Sequence, residues 1–288
     1  MQLRIYKDVG AFHDVTYDLL MRDEAQNLIP LGNILIGKKG ENKSGWRDPA
    51  NWFMATVSDD NIIQLVAIMT PPHNITLYTR DNKIDERAVA CLINGIGGVP
   101  IPGVMARKDM ALYFAEVYCL AKGLKYETKM EQRIYELTEV NPDIQHIGTM
   151  RLADESDMYF LPYWMEALYN TIDGVDSTMS VPQDMEHYHY RIVKEKMYVL
   201  EIDGKPVSMV GTHREMQTVC GVGPVYTPPY FRRKGYASSA VARASQMIMD
   251  RGFTKCVLYT DLANPTSNSI YQKIGYNPVC DSVMLKFI

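Results

Sequence analysis

Arg232-Arg233-Lys234-Gly235-Tyr236-Ala237 lies between a strand-like segment and a helix-like one. Residues 218–227 before it read as an extended segment that stops at Pro228-Pro229. After it, apolar residues recur at helical spacing as far as Gly252. The first turn of such a helix presents unpaired backbone N–H groups, and Gly235, which has no Cβ, lets a bulky anion approach the main chain. The stretch therefore predicts a pyrophosphate site at a helix N-terminus.

Three further features follow in a fixed order around this stretch. Val225-Tyr226-Thr227 ends the preceding strand, and Lys255-Cys256-Val257-Leu258-Tyr259-Thr260 forms a second apolar run of strand length. Residues 264–276 then read as a closing helix with a terminal glycine, Gly275. Together with the pattern Arg-x-x-Gly-x-Ala, this order resembles the acyl-CoA-binding core of the GNAT superfamily of N-acetyltransferases.

The resemblance implies an α/β (α+β) fold with a mixed, mostly antiparallel central sheet flanked by helices. It also implies that acyl-CoA lies in a gap between two central strands. Acetyl-CoA is the implied co-substrate, with no metal, and Tyr271 matches the tyrosine that protonates the departing thiolate. The implied cofactor-binding residues are Val225, Tyr226, Thr227, Arg232, Arg233, Lys234, Gly235, Tyr236, Ala237, Ser238, Asn264 and Ser267.

Composition agrees with a globular enzyme of two domains. The chain has 288 residues, 47% of them hydrophobic and 22% charged, with a net charge of -4. That charge gives no reason to expect nucleic acid or a membrane as partner. The N-terminal residues lack a signal-peptide core, so we expect a cytoplasmic protein. The five cysteines are odd in number and widely spaced, which predicts free thiols without a metal site.

The two halves of the chain follow the same plan. In the second half, strand-like runs flank Asp203-Gly204, a strong hairpin pattern. The first half repeats this strand–turn–strand order at residues 52–57, 62–69 and 75–79. Helical patterns follow at 86–93 and 108–121, and a strand is predicted at 134–140.

After residue 79 comes an acidic segment without glycine, which would repel phosphate. We therefore expect a GNAT-like domain without a CoA loop over residues 1–141 and an acyl-CoA-binding domain over 147–288. The linker is placed near Asn141-Pro142-Asp143.

Two glycine-containing stretches do not fit a nucleotide-binding loop. Residues 32–39 nearly match a P-loop but lack the final Ser or Thr, and the surrounding pattern predicts amphipathic helices interrupted at Pro30. Residues 95–103 have glycines without dinucleotide spacing and predict a loop.

The acceptor and the general base stay open at the level of sequence. A primary amine of a small molecule or amino-acid derivative is the preferred acceptor; an aminoacyl-tRNA-dependent transferase and a non-catalytic acyl-CoA sensor are the alternatives. The candidate bases, none preferred, are Glu201, His213, Glu215 and Asp157. The aromatic candidates for an acceptor pocket are Trp46, Trp52, Trp164, Tyr188 and Tyr190. The oligomeric state is not predicted.

Overall fold

The computed structural model describes residues 1–40, 48–170 and 181–288, with side chains described from residue 185 onward in the last range. The chain forms two compact units. Unit 1 comprises Met1–Ile134, Asp261–Ala263 and Val279–Ile288, and unit 2 comprises Tyr135–Thr260 and Asn264–Pro278. The sequence predicts the division between the two domains at residues 141–147. In the structure unit 2 begins earlier, at Tyr135, and the last strand belongs to unit 1.

Strands and helices alternate along the described chain. In order they are β1 (Gln2–Tyr6), α1 (Val9–Leu20), α2 (Leu28–Lys39), β2 (Phe53–Asp59), β3 (Ile62–Met69), β4 (Ile75–Thr79), α3 (Glu86–Gly95), β5 (Gly103–Arg107), α4 (Lys108–Lys122), β6 (Tyr126–Leu137), β7 (Thr149–Leu152), α5 (Leu161–Tyr169), α6 (Val181–Val193), β8 (Met197–Ile202), β9 (Lys205–His213), β10 (Val219–Tyr226), α7 (Tyr236–Asp250), β11 (Lys255–Asp261), α8 (Pro265–Ile274) and β12 (Asn277–Phe287). None of these helices is long and apolar enough to span a lipid bilayer.

Unit 1 has strand order β1-β2-β3-β4-β5-β12, with β4 and β5 parallel across helix α3 and the other neighbours antiparallel. Its core packs α3 and α4 on the sheet. The end of β12 contributes Val283, Leu285 and Phe287 to that core, whereas Lys286 is exposed. This alternation with period two is the expected pattern of a strand with one buried face.

Unit 2 has strand order β11-β10-β9-β8-β7 and also contains Tyr135–Leu137, the end of β6. The β8–β9 hairpin turns through Asp203 (φ 50°) and Gly204 (φ 69°), as predicted from their sequence. One hydrophobic cluster packs α7 and α8 on the sheet, and a second packs α5 and α6. The predicted mixed, mostly antiparallel sheet with flanking helices is confirmed.

Several boundaries in unit 1 differ from the sequence-based expectation. Pro30 lies in the first turn of α2 and does not interrupt it, because a proline there costs no helical hydrogen bond. The P-loop-like residues 32–39 are part of the same helix. Strands β1 and β5 were not predicted; β5 begins at Gly103, where a Cβ would clash with the backbone oxygen of Leu285 in β12.

Candidate active site

Strands β10 and β11 separate shortly after they begin. Their parallel pairing covers only Val219–Gly221 and Lys255–Val257, although β10 continues to Tyr226. On its other edge β10 pairs with β9, and the register shifts between Val222 and Val225 because β10 contains one extra residue there. The backbone of Val225 and Tyr226 therefore lies beyond the paired part of β10 and β11.

Helix α7 starts without a side-chain cap. Its N-cap is Gly235, in the left-handed region at φ 78°, and no side chain accepts a hydrogen bond from the first turn. The N–H groups of Tyr236, Ala237 and Ser238 have no carbonyl one turn earlier in the helix. Arg233 also has positive φ, at 64°. This local geometry leaves several main-chain donors available to an anion.

The three cations before α7 are exposed, and one of them is fixed to the end of β10. The Arg232 Nε–H donates to the Thr227 carbonyl oxygen at 2.9 Å, and its guanidinium lies 5.9 Å from the Tyr226 ring centroid. Lys234 Nζ lies 5.4 Å from the Tyr230 ring centroid. Three cations beside uncapped N–H groups form a donor set that fits the pyrophosphate of a CoA-type cofactor.

Two hydrogen bonds between Ser239 and Ile147, which the sequence did not predict, fix the start of α7. The buried Ser239 hydroxyl accepts from Ile147 N–H at 2.8 Å and donates to the Ile147 carbonyl at 3.0 Å. A Cβ at Gly235 would lie 3.1 Å from Ile147 Cδ1. The segment before β7 thus packs against the N-terminus of α7 and fixes its position.

Helix α8 begins at Asn264, whose side-chain oxygen accepts the Ser267 N–H at 3.1 Å. This bond caps the helix and engages the Asn264 oxygen. Asn264 is exposed, and Ser267 is half-buried in the first turn. Gly275 ends the helix at φ 114°, as the sequence predicted for the terminal glycine.

Tyr271 lies on the face of α8 that packs on the sheet. It is 9% exposed, and its ring lies 6.4 Å from Tyr135 and 5.9 Å from Tyr276. No hydrogen bond of its hydroxyl group is formed with any described residue. Burial raises the pKa of the Tyr271 phenol to about 12. The side chain therefore combines a core position with a hydroxyl that keeps its proton at neutral pH.

The carboxylates considered as general bases are held by arginines. Asp157 and Glu201 both accept from Arg151, at 2.6 Å and 2.9 Å. Glu215 pairs with Arg251 at 3.0 Å, at the C-terminal end of α7. Helix α7 has 15 residues and is roughly 22 Å long, so Glu215 is distant from the helix N-terminus.

His213, the remaining candidate base, lies against β10. A Cβ at Gly221 would be 2.5 Å from His213 Cε1, so the ring covers that glycine. The Arg214 guanidinium donates to His213 Nδ1 at 3.3 Å. Burial, followed by the charges of Arg214, Arg191 and Lys196, lowers the pKa of His213 well below its usual value. Its imidazole is therefore neutral at physiological pH.

The aromatic pocket candidates are dispersed. Trp164 lies 6.1 Å from the Tyr226 ring and packs with α5 and α6 in unit 2, where Tyr188 is also buried. Tyr190 is 43% exposed, and Trp52 is buried in unit 1. Trp46 falls outside the described residues.

In unit 1 the helix that corresponds to α7 is α3, and its N-terminus is capped by a side chain. Helix α3, between parallel strands β4 and β5, has Asp85 as its N-cap. The Asp85 carboxylate accepts the N–H groups of Arg87 and Ala88 at 3.0 Å and 3.3 Å. The donors that α7 leaves available are thus occupied in α3 by an internal anion.

Comparison with known proteins gives a family match for part of the chain and fold likenesses for all of it. Residues 163–276 match the model of the Acetyltransferase (GNAT) family, whereas no curated protein matches the chain. The whole chain is similar in fold to a GNAT-family acetyltransferase from Colwellia psychrerythraea, with TM-score 0.59, 9% identity and coverage of 100% of this chain and 99% of that one. It is similar to a Drosophila protein, with TM-score 0.68, 11% identity and coverages of 99% and 98%.

A GCN5-related N-acetyltransferase from Sphaerobacter thermophilus gives TM-score 0.63 at 12% identity, with coverages of 99% and 95%. These likenesses describe the fold of both units, and the family match lies within the part of the chain that contains α7 and α8. Residues 163–276 therefore match the GNAT acetyltransferase family, whose general reaction is the acetyl-CoA-dependent acetylation of an amine.

Proposed function

We propose that this enzyme transfers an acetyl group from acetyl-CoA directly to the primary amine of a small molecule or amino-acid derivative. The observation that carries the proposal is the separation of β10 and β11 next to an uncapped, cation-flanked helix N-terminus. In unit 1 the comparable helix is capped by Asp85. This difference supports a single cofactor site, in unit 2.

The cofactor-binding residues divide into two groups by the chemistry they offer. The backbone of Val225, Tyr226 and Thr227 would bind the pantetheine arm along the unpaired edge of β10. The segment Arg232–Ala237 with Ser238 would bind the pyrophosphate through N–H groups and cationic side chains. Asn264 and Ser267 would contact the CoA arm from the start of α8.

Acetyl-CoA, when bound, supplies the thioester whose acetyl group is transferred. A backbone N–H of the β10 end would polarise the thioester carbonyl, an oxyanion-type role that needs no particular side chain. The Tyr271 hydroxyl, which is neutral and without a described hydrogen-bond partner, would donate a proton to the leaving sulfur. The proton released by the amine nitrogen would return to the phenol through solvent. We assign a cytoplasmic location to the protein, supported by its five free thiols.

The experiment that tests this function incubates the full chain with acetyl-CoA and a panel of primary amines. Release of the free CoA thiol and formation of the acetylated amine by mass spectrometry are the two readouts. A double variant, Arg232→Ala with Gly235→Glu, is the matched control and is expected to lose both signals. Acetyl-CoA binding without transfer to any amine would favour a sensor, and dependence on aminoacyl-tRNA would favour the other transferase class.

A further inference from the structure

A second group of basic side chains lies on the α5–α6 side of the unit 2 sheet. Arg191 of α6, His213 at the end of β9 and the adjacent Arg214 are each half-buried. A Cβ at Gly211 would meet the Arg191 guanidinium, and a Cβ at Gly221 would meet the His213 ring. The glycines therefore allow both side chains to lie directly on the sheet.

Among the described residues, the Arg191 guanidinium is bound only by neutral groups. It donates to the carbonyl oxygens of Thr212 at 3.2 Å and Gly223 at 3.4 Å, and to Met197 Sδ at 3.2 Å. No carboxylate within residues 1–40, 48–170 or 185–288 forms an ion pair with it. Burial lowers the pKa of Arg191, since the low-polarity surroundings disfavour its charge. A guanidinium so placed is poorly compensated, because desolvating a charge is costly unless an opposite charge balances it.

The cluster lies next to the opening in the sheet. Gly223, whose carbonyl binds Arg191, belongs to the part of β10 that has the extra residue and no longer pairs with β11. The guanidinium of Arg214 is close enough to Tyr259 on β11 for the two to interact electrostatically. Positive charge is thus concentrated beside the separated part of β10, where the proposed function places the thioester.

We propose that the acceptor carries a carboxylate that binds Arg191, assisted by Arg214, so that the substrate is a free amino acid or another amino-carboxylic acid. This inference rests on the proposed acetyltransferase function and narrows its substrate class. A guanidinium pairs with a carboxylate through two parallel, charge-assisted hydrogen bonds. The substrate anion supplies the negative charge that Arg191 lacks among the described residues.

The test compares amino acids with their primary amides, which carry the same amine but no carboxylate. Rates are measured at equal concentrations of neutral amine, because amidation also changes the pKa of the amine. The native enzyme is expected to show a kcat/KM at least about tenfold higher for the acids. In Arg191→Gln that preference disappears through a raised KM for the acids, while kcat/KM for the amides and KM for acetyl-CoA stay within about twofold. Arg191→Lys, which retains the charge, gives intermediate values.

Equal kcat/KM for acids and amides in the native enzyme would overturn the inference, and this comparison needs no variant. An equal loss for both substrates in Arg191→Gln would also overturn it, because it would assign Arg191 to holding β9 and β10 together. Circular dichroism and acetyl-CoA calorimetry check that Arg191→Gln folds. Arg214→Gln is a second variant for the same comparison of acids and amides. Failure of the native chain to bind acetyl-CoA would instead contradict the proposed function, so the two failures are distinguishable.

Discussion

Tyr271 is both a core residue and the proposed proton donor. Its ring belongs to the core between α8 and the sheet, and its hydroxyl bonds to no described residue. Removing that hydroxyl leaves the packing unchanged and leaves no partner unsatisfied. We expect Tyr271→Phe to lower kcat about 100-fold, to leave acetyl-CoA affinity unchanged and to preserve the melting temperature. Steady-state kinetics and calorimetry on the same variant measure these quantities, and an unchanged kcat would remove Tyr271 from the mechanism.

The raised pKa of Tyr271 predicts a pH profile. A phenol of pKa about 12 stays about 99% protonated at pH 10, whereas an ordinary phenol is half ionised there. We therefore expect kcat at saturating substrates to show no fall between pH 8 and about pH 10. A fall by half near pH 10 that is absent from Tyr271→Phe would contradict the buried setting of this group.

The raised pKa of Tyr271 also makes the free energy of unfolding depend on pH. The neutral form is favoured in the folded state, so the contribution is fully present below the unfolded pKa near 10 and is lost as the pH rises through about 12.

Among the helices, α3 and α7 differ in whether a side chain caps the N-terminus. Asp85 caps α3 with a carboxylate, and Gly235 leaves α7 open. We expect Gly235→Asp to weaken acetyl-CoA binding by about tenfold or more, since a carboxylate there would accept first-turn N–H groups and repel phosphate. The matched control is Asp85→Gly in unit 1, which should leave the affinity measured by calorimetry unchanged. Native affinity in Gly235→Asp would place the pyrophosphate elsewhere.

Arg151 of β7 holds two carboxylates of unit 2. It bonds Asp157, which is almost fully buried, and Glu201 of β8 from its position on β7. Replacing it with methionine leaves a buried carboxylate without a counter-charge, and we expect a loss of about 3 kcal/mol in the free energy of unfolding. Hydrogen exchange at the β7 and β8 amides measures this loss. Adding Asp157→Asn to Arg151→Met should recover part of the protection; if the single variant exchanges like the native chain, the network contributes little.

The elements that sequence could predict are those with strong local patterns. The β8–β9 hairpin follows from Asp203-Gly204, and α7 and α8 follow from helical periodicity closed by glycines. Strand β5 was not predictable, because residues 95–103 are rich in glycine and proline and its partner β12 comes from the far end of the chain. The extra residue in β10 depends on pairing with β9 and likewise has no local pattern.

The candidate site shows the same limit. The cofactor loop could be proposed from consecutive residues, since its donors come from one stretch of chain. Arg191, His213 and Arg214 come together only when α6 packs over the glycines of β9 and β10. In sequence they are ordinary basic residues, and only the missing carboxylate around Arg191, among the residues that the structure describes, distinguishes that side chain.

At the scale of the whole molecule, the C-terminal strand completes unit 1. Leu285 is fully buried there and pairs with Val104 of β5. We expect Leu285→Ala to cost about 2–5 kcal/mol through lost burial and the remaining cavity. Its effect should appear as faster hydrogen exchange in β5 with unchanged exchange in β9 of unit 2. Lys286→Ala, at the exposed neighbouring position, is the control, and a change in β9 equal to that in β5 would contradict this assignment.

We propose that the chain has one acetyl-CoA site, formed by the opening beside β10 and the uncapped start of α7. Calorimetric titration of the full chain with acetyl-CoA tests it most directly. We expect one molecule bound per chain with micromolar affinity, weakened about tenfold or more in Gly235→Asp and retained in Asp85→Gly. Two molecules per chain, no binding by the folded native protein, or native binding by Gly235→Asp would contradict it.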